Sequence, residues 1–164
     1  MAILKNWNKR FDAGETGATI FNAWWLKFYG MVWNDEFDNN SLMLPSRDRT
    51  EQLLLKEPRS KWFDDIRTPA NETCADMVNR SFIASVYELV HAHGKPGKNW
   101  RWGYVKSTYI NHLANLPGFG AGNIIAGGTG SVINALIDQH GPSWRMVVQM
   151  GPKVQGYGIF PGGE

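Results

Sequence analysis

Serines, histidines and paired carboxylates are the side chains of this 164-residue chain that could act as nucleophiles, bases or ligands, and their spacing limits what they can do. Ser143 follows Gly141-Pro142, but a nucleophile elbow of the G-x-S-x-G kind fails because Arg145 stands at its second glycine. Gly127-Gly128-Thr129-Gly130-Ser131 suggests a phosphate loop. The lysine of such a loop is missing, and neither this run nor Gly118, Gly120 and Gly122 has the dinucleotide spacing, so turn glycines are expected. His91 and His93 are two apart at a predicted helix end, where their side chains diverge, so favourable interaction with the helix C-terminus is preferred to metal chelation. His112 and His140 have no partner at ligand spacing. Asp35-Glu36 and Asp64-Asp65 lack the pattern of an oxygen-ligand loop or a glycosidase pair, and are expected at loops or helix ends. Arg145, between Trp144 and Met146, needs a carboxylate or carbonyl partner if its strand is internal, which makes it a scaffold arginine.

The elements that would position these groups divide the chain near Gly94. The first part, about 1–94, reads helical, and the second, about 95–164, reads as strands and loops. Ile20, Phe21, Trp24, Trp25, Phe28, Met31 and Val32 recur on one face of a helix starting at Thr16 and ending around Asn34–Phe37. A short helix is expected over Arg49–Lys56, stopping before Pro58. A third is expected to start at Thr68-Pro69, with Val78, Phe82, Val86, Leu89 and Val90 as its buried stripe and Gly94 as its terminator. Strands or mixed structure are expected over Arg101–Lys106, Asn123–Ala126, Trp144–Met150 and Tyr157–Phe160; Ser131–Asp138 fits a short helix or a strand. Helical periods followed by glycine-rich strand periods make this an α+β chain, read as a single domain or part of a larger one.

Composition narrows the class further. A net charge of +2 with mixed signs is not the footprint of a nucleic-acid binder, and no apolar run approaches a membrane span. Cys74 is alone, so neither an internal disulfide nor a cysteine zinc cluster can form. The N-terminus has no signal-peptide pattern. Asn39-Asn40-Ser41, Asn71-Glu72-Thr73 and Asn79-Arg80-Ser81 match the glycosylation pattern, which arises easily by chance. Eight tryptophans and eight phenylalanines are a heavy aromatic load, expected chiefly to fill a core.

Several motifs in fixed order resemble the penicillin acylase (penicillin amidase) family of N-terminal-nucleophile hydrolases. Gly141-Pro142-Ser143-Trp144-Arg145-Met146-Val147-Val148 and the later Pro161-Gly162-Gly163 resemble the family's G-P-S-x-R strand and P-G-G-Q-S-G turn, late in its β chain. Glu164 stands where the family has glutamine. Asn6-Trp7-Asn8-Lys9-Arg10-Phe11-Asp12-Ala13 is similar to L-x-x-W-D-x-x-x-D-A, with Asn8 replacing the usual aspartate. Thr16 to Trp24 resembles S-A-A-x-x-F-x-x-W, and Trp100-Arg101-Trp102-Gly103 resembles W-x-W-G. After that last motif the family continues to a histidine, whereas Lys106 occupies the region here and His112 comes later.

The resemblance implies a parent with an αββα core, made as a self-cleaving precursor and directed to the periplasm or secreted. It implies a β-chain N-terminal serine whose own α-amine is the base, and an oxyanion hole of an asparagine side chain and a backbone amide. The implied reaction is hydrolysis of an acyl amide, of the β-lactam side-chain or acyl-homoserine lactone type. None of those groups maps onto this chain, and the calcium ligands possible in the parent also fall outside it. The expectation is therefore a scaffold fragment of the β chain, with no catalytic, cofactor or metal residue of its own. Its expected partners are the remainder of the parent α and β chains, with self-association possible through unpaired strand edges. A reading from another class is a non-catalytic module that binds carbohydrate or peptide through Trp24-Trp25, Trp100 and Trp102.

Overall fold

The computed structural model describes residues 2–37, 44–112, 114, 116, 118–130, 136–137 and 145–159. Ser143, His140, Trp144, the Asn39 glycosylation match, Phe160–Glu164 and most of the Ser131–Asp138 element lie outside the described residues. Among the described residues five α-helices precede two small antiparallel sheets, so the first half is helix-rich and the strands fall in the second half. None of these helices is long and apolar enough to cross a membrane.

The unit formed by Ile20–Lys95 is helical. Helix α2 (Thr16–Trp33) buries Phe28, Val32 and Trp33 against Leu53 of α3 (Arg47–Lys56), Phe63 of a 3₁₀ turn (Lys61–Phe63) and Met77 of α4 (Cys74–His93). Trp24 and Trp25 pack on this cluster with rings tilted against Phe28. The polar tips of the tryptophans are satisfied inside it: Trp33 Nε1 donates to Thr50 Oγ1 at 2.9 Å, and Trp24 Nε1 to Ser81 Oγ at 3.1 Å. Thr50 Oγ1 passes the first chain on to the Ser46 carbonyl at 3.0 Å, one turn back on α3.

Two expectations about α4 differ from what forms. Its N-cap is Thr73, not Thr68, because Thr73 and Asp76 make a reciprocal capping box. Thr68 is diverted: its hydroxyl donates to Glu72 Oε1 at 2.9 Å in the loop before the helix. The buried stripe is also rotated, running Met77, Ser81, Ser85, Leu89, while Ile83, Tyr87 and Val90 are exposed. Phe82 and Val86, expected inside, are half-buried beside that stripe.

The unit formed by Met1–Thr19 with Pro96–Glu164 holds α1 (Ala2–Asn6), α5 (Trp102–Lys106), β1 (Thr108–Ile110), β2 (Ala121–Ile124), β3 (Arg145–Gln149) and β4 (Gln155–Ile159). Where strand or mixed structure was expected over Arg101–Lys106, Trp102–Lys106 is a helix, which places Trp102 and Lys106 one turn apart on the same side. β1 pairs with β2 through an irregular register, and β3 pairs with β4 in regular register from Arg145↔Ile159 to Gln149↔Gln155.

Candidate functional site

The Trp-x-Trp-Gly segment builds a polar centre in the unit formed by Met1–Thr19 with Pro96–Glu164. Trp100 is 1% and Trp102 6% exposed. The Trp102 amide donates to the Glu15 carbonyl at 3.0 Å and that of Gly103 to the Ala13 carbonyl at 2.9 Å, docking the start of α5 on the chain around residues 13–15. A Cβ on Gly103 would lie 2.8 Å from Ile125 Cγ2 and 3.0 Å from Ala13 Cβ, so this close approach requires glycine. Phe11 meets the Trp102 ring edge-on at 5.3 Å.

The glycine run beside it is irregular backbone over Gly127–Thr129, and the carbonyls of Gly127 and Gly128 face one cation. Gly128 has a positive φ of 87°, and a Cβ on Gly127 would lie 2.7 Å from the Phe11 carbonyl oxygen. The Gly128 amide donates to that same oxygen at 2.8 Å. Its own carbonyl accepts from Trp102 Nε1 at 2.8 Å. Lys106, 8% exposed, reaches into this loop. Its Nζ donates to the carbonyls of Gly127 at 2.8 Å, Leu136 at 3.0 Å and Gly128 at 3.4 Å, with the Trp102 ring centroid 6.0 Å away. Among the described residues Lys106 forms no ion pair, and burial holds its ammonium below the ordinary lysine range. A signal for this group was present in the sequence, since Trp102 and Lys106 are i, i+4, but reading the segment as a strand put them on the same side without a helix to join them.

Asn8, which departs from the resembled pattern, has a visible role. Its Oδ1 accepts from the Arg10 amide at 2.8 Å, as an aspartate could, and its Nδ2 donates to Glu15 Oε1 at 3.2 Å, as an aspartate could not.

In the helical unit an open groove of about 610 Å³ runs between α2 and α4, with Leu26, Gly30, Ser85 and Leu89 among its walls and the Lys27–Glu88 ion pair joining the helices. Ser85 Oγ donates to the Phe82 carbonyl at 2.9 Å, within its own helix. The acidic pairs foreseen as loop or helix-end groups sit there. Asp64 Oδ1 accepts from the Glu72 amide at 3.0 Å, Asp65 pairs with Arg67 at 2.9 Å, and Asp35 Oδ2 accepts from the Ile66 amide at 3.0 Å. Glu72 is ion-paired with Arg80. Hydrogen bonds from Arg67 lower the Asp65 pKa; at Glu72 desolvation raises it, but bonds from Thr68, the Asp65 amide and Arg80 together bring it below the ordinary range. Cys74 opens α4 against the core, and burial raises its thiol pKa.

His112 accepts from the Ala114 amide at 3.2 Å through Nδ1 and stacks at a tilt on Phe119. His91 is exposed and His93 half-buried in the last turn of α4, and Arg145 is half-buried on β3. No group of three histidine, cysteine or acidic side chains is placed to hold a metal among the described residues.

Among the described residues the elements define a mixed α+β chain in which many polar side chains hold backbone groups. The chain belongs to the penicillin amidase family: the family model described as Penicillin amidase matches residues 1–164. No curated protein and no solved structure matches the chain in the corresponding comparisons. Membership supports a penicillin-acylase-like amidohydrolase at the level of the family.

Proposed function

We propose that residues 1–164 are a scaffold portion of a penicillin-acylase-like enzyme that hydrolyses an acyl amide, of the β-lactam side-chain or acyl-homoserine lactone type, and that the reacting groups lie elsewhere in the parent. The observation that carries this reading is the engagement of every described serine hydroxyl in local structure. Ser46 Oγ accepts from the Arg49 amide and Ser60 Oγ from the Trp62 amide. Ser81 donates to the Val78 carbonyl, Ser85 to the Phe82 carbonyl and Ser107 to Asn123 Oδ1. A nucleophilic serine instead needs a base positioned to take its proton.

In this reading the N-terminal serine, its amine and the oxyanion donors are supplied by other parts of the α and β chains, and the parent is autoprocessed and exported. Calcium, where the parent uses it, is held outside this chain. The carbohydrate- or peptide-binding alternative draws on Trp100 and Trp102, which are buried, and on Trp24 and Trp25, which pack on the helical core; these placements favour the scaffold reading.

The test is amide hydrolysis by the 164-residue chain, alone and co-expressed with the flanking coding sequence, using a chromogenic acyl anilide and an acyl-homoserine lactone. Turnover only in the co-expressed form is the expected result. Turnover by the chain alone that disappears when one of its own serines is changed to alanine would overturn the proposal.

A further inference from the structure

Three inward-facing backbone carbonyls and an indole face make a recognisable receptor for a small cation. We propose that the Gly127, Gly128 and Leu136 carbonyls, closed by the Trp102 ring, form a primary-ammonium cage that Lys106 fills as a tethered ligand, and that this occupancy fixes the glycine loop on α5.

The donor count supports the assignment. A carbonyl oxygen can only accept, and an ammonium offers three donors where a neutral amine offers two. Lys106 Nζ has three carbonyl contacts, at 2.8, 3.0 and 3.4 Å, and the indole at 6.0 Å adds the electron-rich face that attracts cations.

The cage is built into the backbone, not only into the side chain that fills it. Gly127 leaves no room for a Cβ against the Phe11 carbonyl, and Gly128 needs its positive φ. The Gly128 amide is bound to the same Phe11 oxygen. Gly128 is therefore held through its amide and Gly127 lies close against Phe11, while both carbonyls face Lys106. A lysine that merely buried its stem beneath the surface would carry its ammonium out to water. This one carries it inward.

The ligand class follows from the shape: a primary alkylammonium, whose N–H groups reach the carbonyls. Removal of Cγ to Nζ, as in Lys106→Ala, deletes the atoms of n-propylammonium, which is the probe of choice. Tetramethylammonium has the same charge and no N–H donor, and serves as the control at equal ionic strength.

In Lys106→Ala the Tm of the full 164-residue chain should fall by about 5 °C or more, and the Gly128 amide should lose protection from hydrogen exchange. Propylammonium should recover both, and tetramethylammonium neither. If the alanine variant does not fold unaided, recovery of folded protein on refolding with propylammonium but not tetramethylammonium is the same result. Lys106→Met keeps the apolar stem and should also lose Tm, but its own stem fills the channel, so propylammonium should not help it. Two outcomes overturn the proposal. One is a Lys106→Met variant as stable as the parent, which would mean the ammonium is dispensable; the other is equal response of Lys106→Ala to the two ions.

Discussion

At the scale of single residues, most polar groups here are matched, which makes the exceptions informative. Thr19 and Thr108 are buried, and their Oγ1 atoms have no hydrogen-bond partner among the described residues. A buried hydroxyl without a partner keeps its desolvation cost, and valine has the same shape without the oxygen. Thr108→Val should therefore stabilise the chain by about 1 kcal/mol, and Thr19→Val by a similar amount, read from denaturant midpoints; a loss of stability would show that each hydroxyl has a donor or acceptor. The reverse holds for Thr50, whose loss would strand Trp33 Nε1 in the core. Carboxylates give the pH dependence. Asp65 and Glu72 have lowered pKa values in the folded chain, so the stability they contribute is complete above the ordinary carboxylate range, about pH 4, and is lost as pH falls through their folded values. Arg80→Gln removes one cause of the Glu72 shift, so its Tm should fall less steeply between neutral pH and acid than that of the unaltered chain. Such roles were only partly legible beforehand. The acidic pairs could be placed at loops because no ligand pattern surrounded them, but their partners come from loop closure, which residue spacing does not encode.

At the scale of elements, apolar periodicity was a good guide where large apolar side chains line the buried face and a poor one where serines share it. Helix α2 follows its pattern, with Ile20, Phe28 and Val32 buried. Helix α4 does not: Ser81 and Ser85 are buried between Met77 and Leu89, while Ile83, Tyr87 and Val90 are exposed. Its start was legible in Thr73-Cys74-Ala75-Asp76, a threonine with an acid three residues on, and was obscured by Thr68-Pro69. Thr73→Ala should cost about 1 kcal/mol by removal of the cap, whereas Thr68→Ala should leave the helical content of α4 unchanged; circular dichroism with denaturant titration separates the two. Helix α5 was missed because five residues give too short a window for any period. What holds it is tertiary contact, above all the fit of Gly103 against Ala13 and Ile125. Gly103→Ala has favourable helix propensity yet should destabilise, since the added methyl meets packed atoms on both sides.

At the scale of the whole molecule, the placement of uncovered apolar surface bears on how the isolated chain behaves. Ile83 and Tyr87 of α4 are 69% and 71% exposed, and so are large parts of Met146, Val147, Val148 and Tyr157 in the β3–β4 hairpin. The two patches differ in what they offer a neighbour. Helix α4 presents side chains alone, because its backbone is already bonded. The hairpin presents side chains and backbone together: Met146 and Val148 share a face on which their partners are Gly158 and Gly156, and among the described residues each strand of this two-stranded sheet pairs along one edge. A lone hairpin is also marginal in water, so pairing gives it the neighbours it lacks. The isolated chain should therefore associate with itself through β3 or β4, with sedimentation velocity showing a weight-average coefficient that rises with concentration. Val148→Lys puts a charge on the uncovered face and should shift the population towards monomer, while Tyr87→Lys on α4 should leave the association in place. A monomer at every concentration would sink this prediction, and equal effects of the two substitutions would move the contact from the hairpin to a general apolar surface. The comparison separates backbone pairing from apolar burial, because only the hairpin offers both.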